Sequence, residues 1–179
     1  MTGNFVEEFV AEYFRFQGYI VTTNYWFPKT TTRHRIQRGK NQKYQARSWS
    51  DIDVMALNKD ELVLVQVKCL LNKPQAPKDV LDFFHKVDDF LKNGKALDGK
   101  SSIQWWSEGR KIRKLLVYEC YSPGCYITPL KENGIEVQKF DEMFQSIAQY
   151  VAGKAGSKEE NPLMRFVHFL KDNRYLKKN

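Results

Sequence analysis

Eleven residues from Glu61 to Leu71, ELVLVQVKCLL, constrain the fold more than any other segment of this chain. Read as a strand, one face carries Glu61, Val63, Val65, Val67 and Cys69, and the other Leu62, Leu64, Gln66, Lys68 and Leu70. A strand apolar on both faces is central and covered on both sides, so the chain must lay helices on each face of a sheet. Gln66 and Lys68 interrupt one face with an amide and an ammonium. An unpaired buried ammonium costs several kcal/mol, so Lys68 requires an anionic neighbour or a wet cleft. The competing reading is an edge strand whose polar face meets water.

The preceding segment supplies the anion. Residues 50–57 (SDIDVMAL) read as a second strand, and Asn58-Lys59-Asp60 is a polar turn, so the two form a hairpin. With the turn centred on Lys59-Asp60, Asp53 faces Gln66 and Asp51 faces Lys68, with Cβ atoms roughly 4.5–5.5 Å apart. A carboxylate, an amide oxygen and a lysine thus share one side of one hairpin. Asp51 lies on the same face as Asp53 and is the alternative for any role given to it. The plain reading of Asp53 is a strand-start residue bonding a turn.

Around this hairpin the order of elements is α-β-(basic loop)-β-β-α-β, which implies an α/β fold with a mixed sheet flanked by helices. Residues 4–16 place Phe5, Val6, Phe9, Val10, Tyr13 and Phe14 on one helical stripe, and Gly18 is set to end it. Residues 19–27 alternate as a first strand that Pro28 should stop. Pro74 and Pro77 bracket a loop before a helix over 79–91, which Asn93-Gly94 ends. Residues 95–107 read as loop, 114–121 as a buried strand, 135–137 as a short strand and 141–151 as a helix. Residues 1–152 form one domain; 153–160 (GKAGSKEE) read as a linker, and Asn161-Pro162 open a final helix over 161–179. That helix is too short to be stable alone, so it docks on the core or on a second copy.

The charge is concentrated. Lys+Arg number 29 against Asp+Glu 21, a net +8, and residues 29–47 contribute Lys29, Arg33, Arg35, Arg38, Lys40, Lys43 and Arg47 with no acid. A local basic stretch with interleaved polar and aromatic residues suits a polyanion, most often nucleic acid. A solvated loop serving solubility is the alternative. Trp105-Trp106 suits either base stacking or a core or interface role. His34, His85 and His168 are scattered and read as non-catalytic, with His34 placed to touch phosphate. Cys69, Cys120 and Cys125 fit neither a disulfide framework nor a zinc ligand set, which implies a reducing, cytoplasmic setting. The opening MTGNFVEEF does not read as a secretory signal, and no apolar run approaches the ~20 residues that span a bilayer.

Asp53 followed across a hairpin by Gln66-Val67-Lys68 resembles the PD-(D/E)XK nuclease superfamily in its Q-x-K variant. Small members, such as the archaeal Holliday-junction resolvases and Mrr-like restriction enzymes, also have an N-terminal helix bearing a glutamate. GNFVEEFVAEYFRFQGY is similar to that helix, and Glu7 is the matching position. It sits about 110° from the stripe centre, bordering the buried face, whereas Glu8 points nearly opposite it. Glu12 borders the other edge and is its rival. The resemblance covers residues 3–70 by motif and 78–121 by element order alone. It departs in two places: Ser50-Asp51-Ile52 lacks the proline before the motif aspartate, and Gln66 replaces the usual acid.

The resemblance implies a restriction-endonuclease-like αβββαβ core and metal-dependent hydrolysis of DNA phosphodiesters. It implies Mg²⁺, with Mn²⁺ as substitute, held by Asp53, the Gln66 side-chain oxygen, the Val67 carbonyl and Glu7. Lys68 would orient the attacking water or stabilise transition-state charge. One active centre per chain cuts one strand, so a homodimer is expected for duplex cleavage, with the last helix as a candidate interface. Two alternatives stand beside the nuclease. One is a catalytically inactive nucleic-acid-binding module on the same fold; the other is an interaction protein with a solvated basic loop.

Overall fold

A computed structural model describes residues 2–37, 40–71, 75–93, 102–121, 126–153 and Arg165. Among them α1 (Thr2–Phe16) leads into β1 (Ile20–Gln37), β2 (Lys40–Leu57) and β3 (Glu61–Leu71). Then follow α2 (Ala76–Asn93), α3 (Ser102–Ser107), β4 (Lys111–Tyr121), α4 (Thr128–Glu132), β5 (Ile135–Lys139) and α5 (Phe140–Gly153). The protein is an α/β fold around a five-stranded mixed sheet of order β1-β2-β3-β4-β5, with a C-terminal helix closing it. β1, β2 and β3 are antiparallel, while β3, β4 and β5 run parallel. Parallel neighbours need a crossover, and α2 with α3 supplies the one between β3 and β4.

β3 is central, as its two apolar faces require. Val63, Val65 and Val67 pack with Val54 and Ala56 of β2 under α1 and α5. Leu62 and Leu64 pack with Met55, Ile52 and Phe27 under Val80, Phe84, Val87 and Phe90 of α2, Ile103 of α3 and Leu130 of α4. The amphipathic stripe of α1 buries Val6, Phe9, Val10 and Phe14, while Phe5 stays 51% exposed at its edge. The helix ends in a Schellman motif: Tyr19 N–H bonds Phe14 O at 3.1 Å and Gly18 N–H bonds Arg15 O at 3.0 Å. Gly18 takes φ +87°, and the Phe14 and Tyr19 rings stack edge to face 5.3 Å apart to seal the turn. No helix among the described residues is long and apolar enough to cross a membrane.

Several expectations are corrected. The first strand does not stop at Pro28, and residues 29–47 are not a loop: β1 and β2 continue as a hairpin from Pro28↔Trp49 to Gln37↔Lys40. β1 is an edge strand, so the missing N–H of Pro28 can face the unpaired side and leave no ladder bond unmade. The alternation signal is silent there because both faces of this ribbon are polar. Pro77 lies in the first turn of α2 rather than before it, where a residue without N–H is tolerated. Residues 102–107, read as loop, form α3, which buries Ile103. The short helix α4 carries no strong sequence signal. Residues 154–160 of the linker and, apart from Arg165, the final helix fall outside the described residues, as do Arg38, Cys125 and His168, while Gly153, read as the start of the linker, ends α5.

Candidate active site

The turn between β2 and β3 forms as its composition requires. Asn58 Oδ1 accepts from the N–H groups of Asp60 and Glu61, each at 2.8 Å, and Asn58 N–H bonds Glu61 O. The register is the expected one, from Leu57↔Leu62 to Val54↔Val65, but the ladder ends there. Asp53 and Lys68 therefore lie past the point where β2 parts from β3.

The cause is a kink shared by β1 and β2. The β1–β2 ladder skips Asn24 and Asp53, with Thr23↔Val54 on one side and Tyr25↔Ile52 on the other. Asn24 takes φ +53°, a left-handed conformation that asparagine tolerates better than most side chains. Ile52 and Met55 both enter the α2-side core although strict alternation would put them on opposite faces. The pleat thus slips at Asp53. The β2–β3 ladder ends before Asp51 and Lys68, so they are not a ladder pair, yet both line the same cleft against α2.

The Asp53 carboxylate fills the gap that opens. Its Oδ2 accepts from the Val67 main-chain N–H at 2.5 Å and from the Gln66 side-chain amide. Both Asp53 and Gln66 are 5% exposed, the only buried polar side chains among the described residues. Burial pushes the Asp53 carboxyl up to about 7, against the lowering effects of the Val67 N–H and Lys68, while Glu7 and Asp51 raise it further. Glu7 on α1 is likewise raised, first by burial, then by Asp51, with Lys68 opposing. Three carboxylates and one ammonium therefore share one electrostatic neighbourhood built from α1, β2 and β3. Glu12, the rival of Glu7, is instead ion-paired with Arg15 on its own helix.

Lys68 is exposed rather than buried, so its environment is the wet cleft and not a sealed ion pair. A cleft of about 300 Å³ runs between β2, β3 and α2, lined by Asp51, Gln66, Lys68, Asp79 and Phe83 among others. Asp79 in the first turn of α2 was not among the sequence candidates. Its only signal was an acid placed at a helix start, which capping and the helix dipole explain as well.

The donors present suit a hard divalent cation. Asp53, Glu7 and Asp51 against Lys68 leave two negative charges in excess when ionised, the complement of one Mg²⁺. Asp53 receives both its hydrogen bonds on Oδ2, which leaves Oδ1 for a cation. Gln66 presents its amide N–H to Asp53, so its carbonyl oxygen is the atom left to coordinate. The N–H and C=O of one strand residue point to the same edge, so the Val67 carbonyl is turned toward the gap that Asp53 fills. Among the described residues no three Asp, Glu, His or Cys side chains form a ready-made metal cluster. Mg²⁺ is usually held by one or two carboxylates and keeps several waters.

The basic residues occupy the distal hairpin. Arg33, Arg35 and Lys43 are exposed and Lys29 is half-buried, while Lys40 and Arg47 lie on the ladder opposite Gln37 and Thr30. Trp106 joins the α2-side core, its ring 5.9 Å from that of Tyr25, whereas Trp105 is exposed. Cys69 and Cys120 are not joined in a disulfide, and the Cys120 thiol donates to the Cys69 carbonyl at 3.5 Å. Comparison of the chain with protein-family models, with curated proteins and with solved structures finds no match.

Proposed function

We propose that the protein is a divalent-metal-dependent nuclease acting on DNA, on a restriction-endonuclease-like core. The observation that carries this reading is the break between β2 and β3 at Asp53. There a buried carboxylate bonds the Gln66 amide and the Val67 N–H while Lys68 projects into an open cleft. A merely structural aspartate has no need of a raised pKa, a second and third carboxylate nearby, and a lysine at the mouth. The order α1-β1-β2-β3-α2-β4, with three antiparallel strands followed by a parallel one, agrees with the core that the resemblance implies.

In this reading Asp53, the Gln66 carbonyl oxygen, the Val67 carbonyl and Glu7, through the ion or one of its waters, would hold Mg²⁺ or Mn²⁺. The bound ion supplies charge neutralisation at the scissile phosphate and lowers the pKa of water. Asp51, in the same cleft as Lys68, adds negative charge that favours the cation. Lys68, with its ammonium in the cleft, orients the attacking water and offsets the charge that develops on the phosphoryl oxygens. A dimer is the natural state for cutting both strands.

The test is cleavage of labelled DNA duplexes, flaps and junctions with Mg²⁺ or Mn²⁺, run beside Asp53→Ala and Lys68→Ala. Cleavage by the wild type that both substitutions abolish supports the nuclease. One observation favours a second reading: Gln66 stands in place of an acid and spends its amide N–H on Asp53. An inactive DNA-binding module on this fold predicts no metal uptake by calorimetry and no cleavage of any substrate.

A further inference from the structure

We propose that the distal β1–β2 hairpin is an arm that enters the major groove of B-form duplex DNA, with the face bearing Arg33, Arg35 and Gln42 turned to the base edges. This deepens the DNA reading above by naming the substrate as duplex; it does not depend on catalysis.

The dimensions come first. Phe27 and Ile52 are the last residues of β1 and β2 in the core. From Pro28 to Gln37 the ladder continues without interruption, a reach of roughly 33 Å at about 3.3 Å per residue. That is about one turn of B-form duplex. A two-stranded ribbon, with strands roughly 4.8 Å apart, fits a major groove about 12 Å wide and is too broad for a minor groove of about 6 Å. The major groove of A-form RNA is too deep and narrow for side chains to read.

The chemistry agrees. Residues 29–47 contain seven Lys or Arg and no Asp or Glu. The register sets Arg33 opposite Tyr44 and Arg35 opposite Gln42 on one face, and Thr32 opposite Gln45 and His34 opposite Lys43 on the other. All eight of these residues are exposed. The first face offers two guanidiniums and an amide, the groups that bind guanine O6 and N7 and adenine N6 and N7 in pairs. On the second face Gln45 already donates to Thr32 at 3.2 Å, and Lys43 is left for phosphate. The arm also delivers its cargo to the right place. Ser48 at its root is five residues, roughly 17 Å along β2, from Asp53.

A bare pair of strands has an alternative use for charge, since lysine and arginine on exposed ribbons prevent edge-to-edge aggregation. The two uses separate in a binding experiment. Wild type is titrated, with EDTA present to exclude cleavage, against a fluorescent 30-base-pair DNA duplex. Parallel titrations use the same duplex with glucosylated 5-hydroxymethylcytosine, which fills the major groove, and an RNA duplex of the same sequence. The Arg33→Gln/Arg35→Gln variant is run on the first two, with its thermal unfolding checked.

Groove entry predicts that filling the major groove weakens wild-type binding by at least about fivefold, the low end for one lost paired contact. RNA binds no better than the filled duplex, and the double variant loses affinity for open DNA and no longer distinguishes open from filled. Equal wild-type affinity for open and filled DNA overturns the proposal, whatever the variant does. So does preferential binding of RNA. A misfolded variant leaves the wild-type comparison decisive. Groove-dependent binding without cleavage under any metal would sink the nuclease and leave the arm; cleavage with groove-independent binding would do the reverse.

Discussion

Asp53 is the residue whose removal says most about the site, and Asp53→Asn in metal-free buffer tests it through stability rather than activity. Its carboxyl is raised from the ordinary 3.8 to about 7 by burial. A group whose native pKa exceeds its unfolded value contributes stability fully present below the unfolded pKa and lost as pH rises through the native pKa. The window is therefore pH 4 to 7, and the free energy across it is about 4 kcal/mol at 1.36 kcal/mol per pH unit. Asparagine keeps the shape and the oxygen that accepts from the Val67 and Gln66 N–H groups, and never ionises. Glu61 and Glu136, lowered chiefly by hydrogen bonds to Tyr19 and Arg113 that outweigh burial, act in the opposite sense, their stabilisation being lost as pH falls. They are common to both proteins and cancel in the difference. Urea unfolding from pH 5 to 8 should show Asp53→Asn gaining on wild type as pH rises, by on the order of 2–4 kcal/mol at pH 8. A difference independent of pH, or a variant less stable than wild type at pH 8, would refute the argument that a buried, cation-seeking carboxylate sits here.

Further outcomes follow from the same geometry. Saturating Mg²⁺ at pH 7 should raise the melting temperature of wild type, because the ion binds the native state alone, and leave Asp53→Asn unmoved in a thermal melt. Lys68→Ala should slow single-turnover cleavage roughly 10²–10³-fold with DNA affinity unchanged, as expected for a group acting on transition-state charge. Arg113 bridges Glu61 of β3 at 2.9 Å and Glu136 of β5 at 2.6 Å while only 27% exposed, so Arg113→Ala should cost roughly 1–2 kcal/mol in urea unfolding. Gly18→Ala forces a side chain into φ +87° and should cost about 1 kcal/mol of stability without touching cleavage.

The local pattern of this sequence carried the fold where a buried face and its period were strong. ELVLVQVKCLL read as an inner strand, because both its faces needed cover, against an edge strand with one wet face, and the α1 stripe with Gly18 marked where the helix ends. The Asn58 turn set the hairpin register at Leu57↔Leu62 from side-chain chemistry alone. With those in place, Asp53, Gln66 and Lys68 were legible as polar residues in a segment that otherwise excludes polarity.

Tertiary structure decided what has no local period. The arm was hidden because cross-strand pairing of two polar ribbons leaves no apolar alternation, and Pro28 could sit within β1 only because β1 is an edge. The slip at Asn24 and Asp53 depends on how β1 and β2 bend together, and the β2–β3 ladder ends before it reaches Asp51 and Lys68. The choice of Glu7 over Glu12 likewise lay beyond helical spacing, since both border the stripe. What separates them is tertiary: Glu7 shares the field of Asp51 and Lys68, while Glu12 ion-pairs with Arg15 on its own helix.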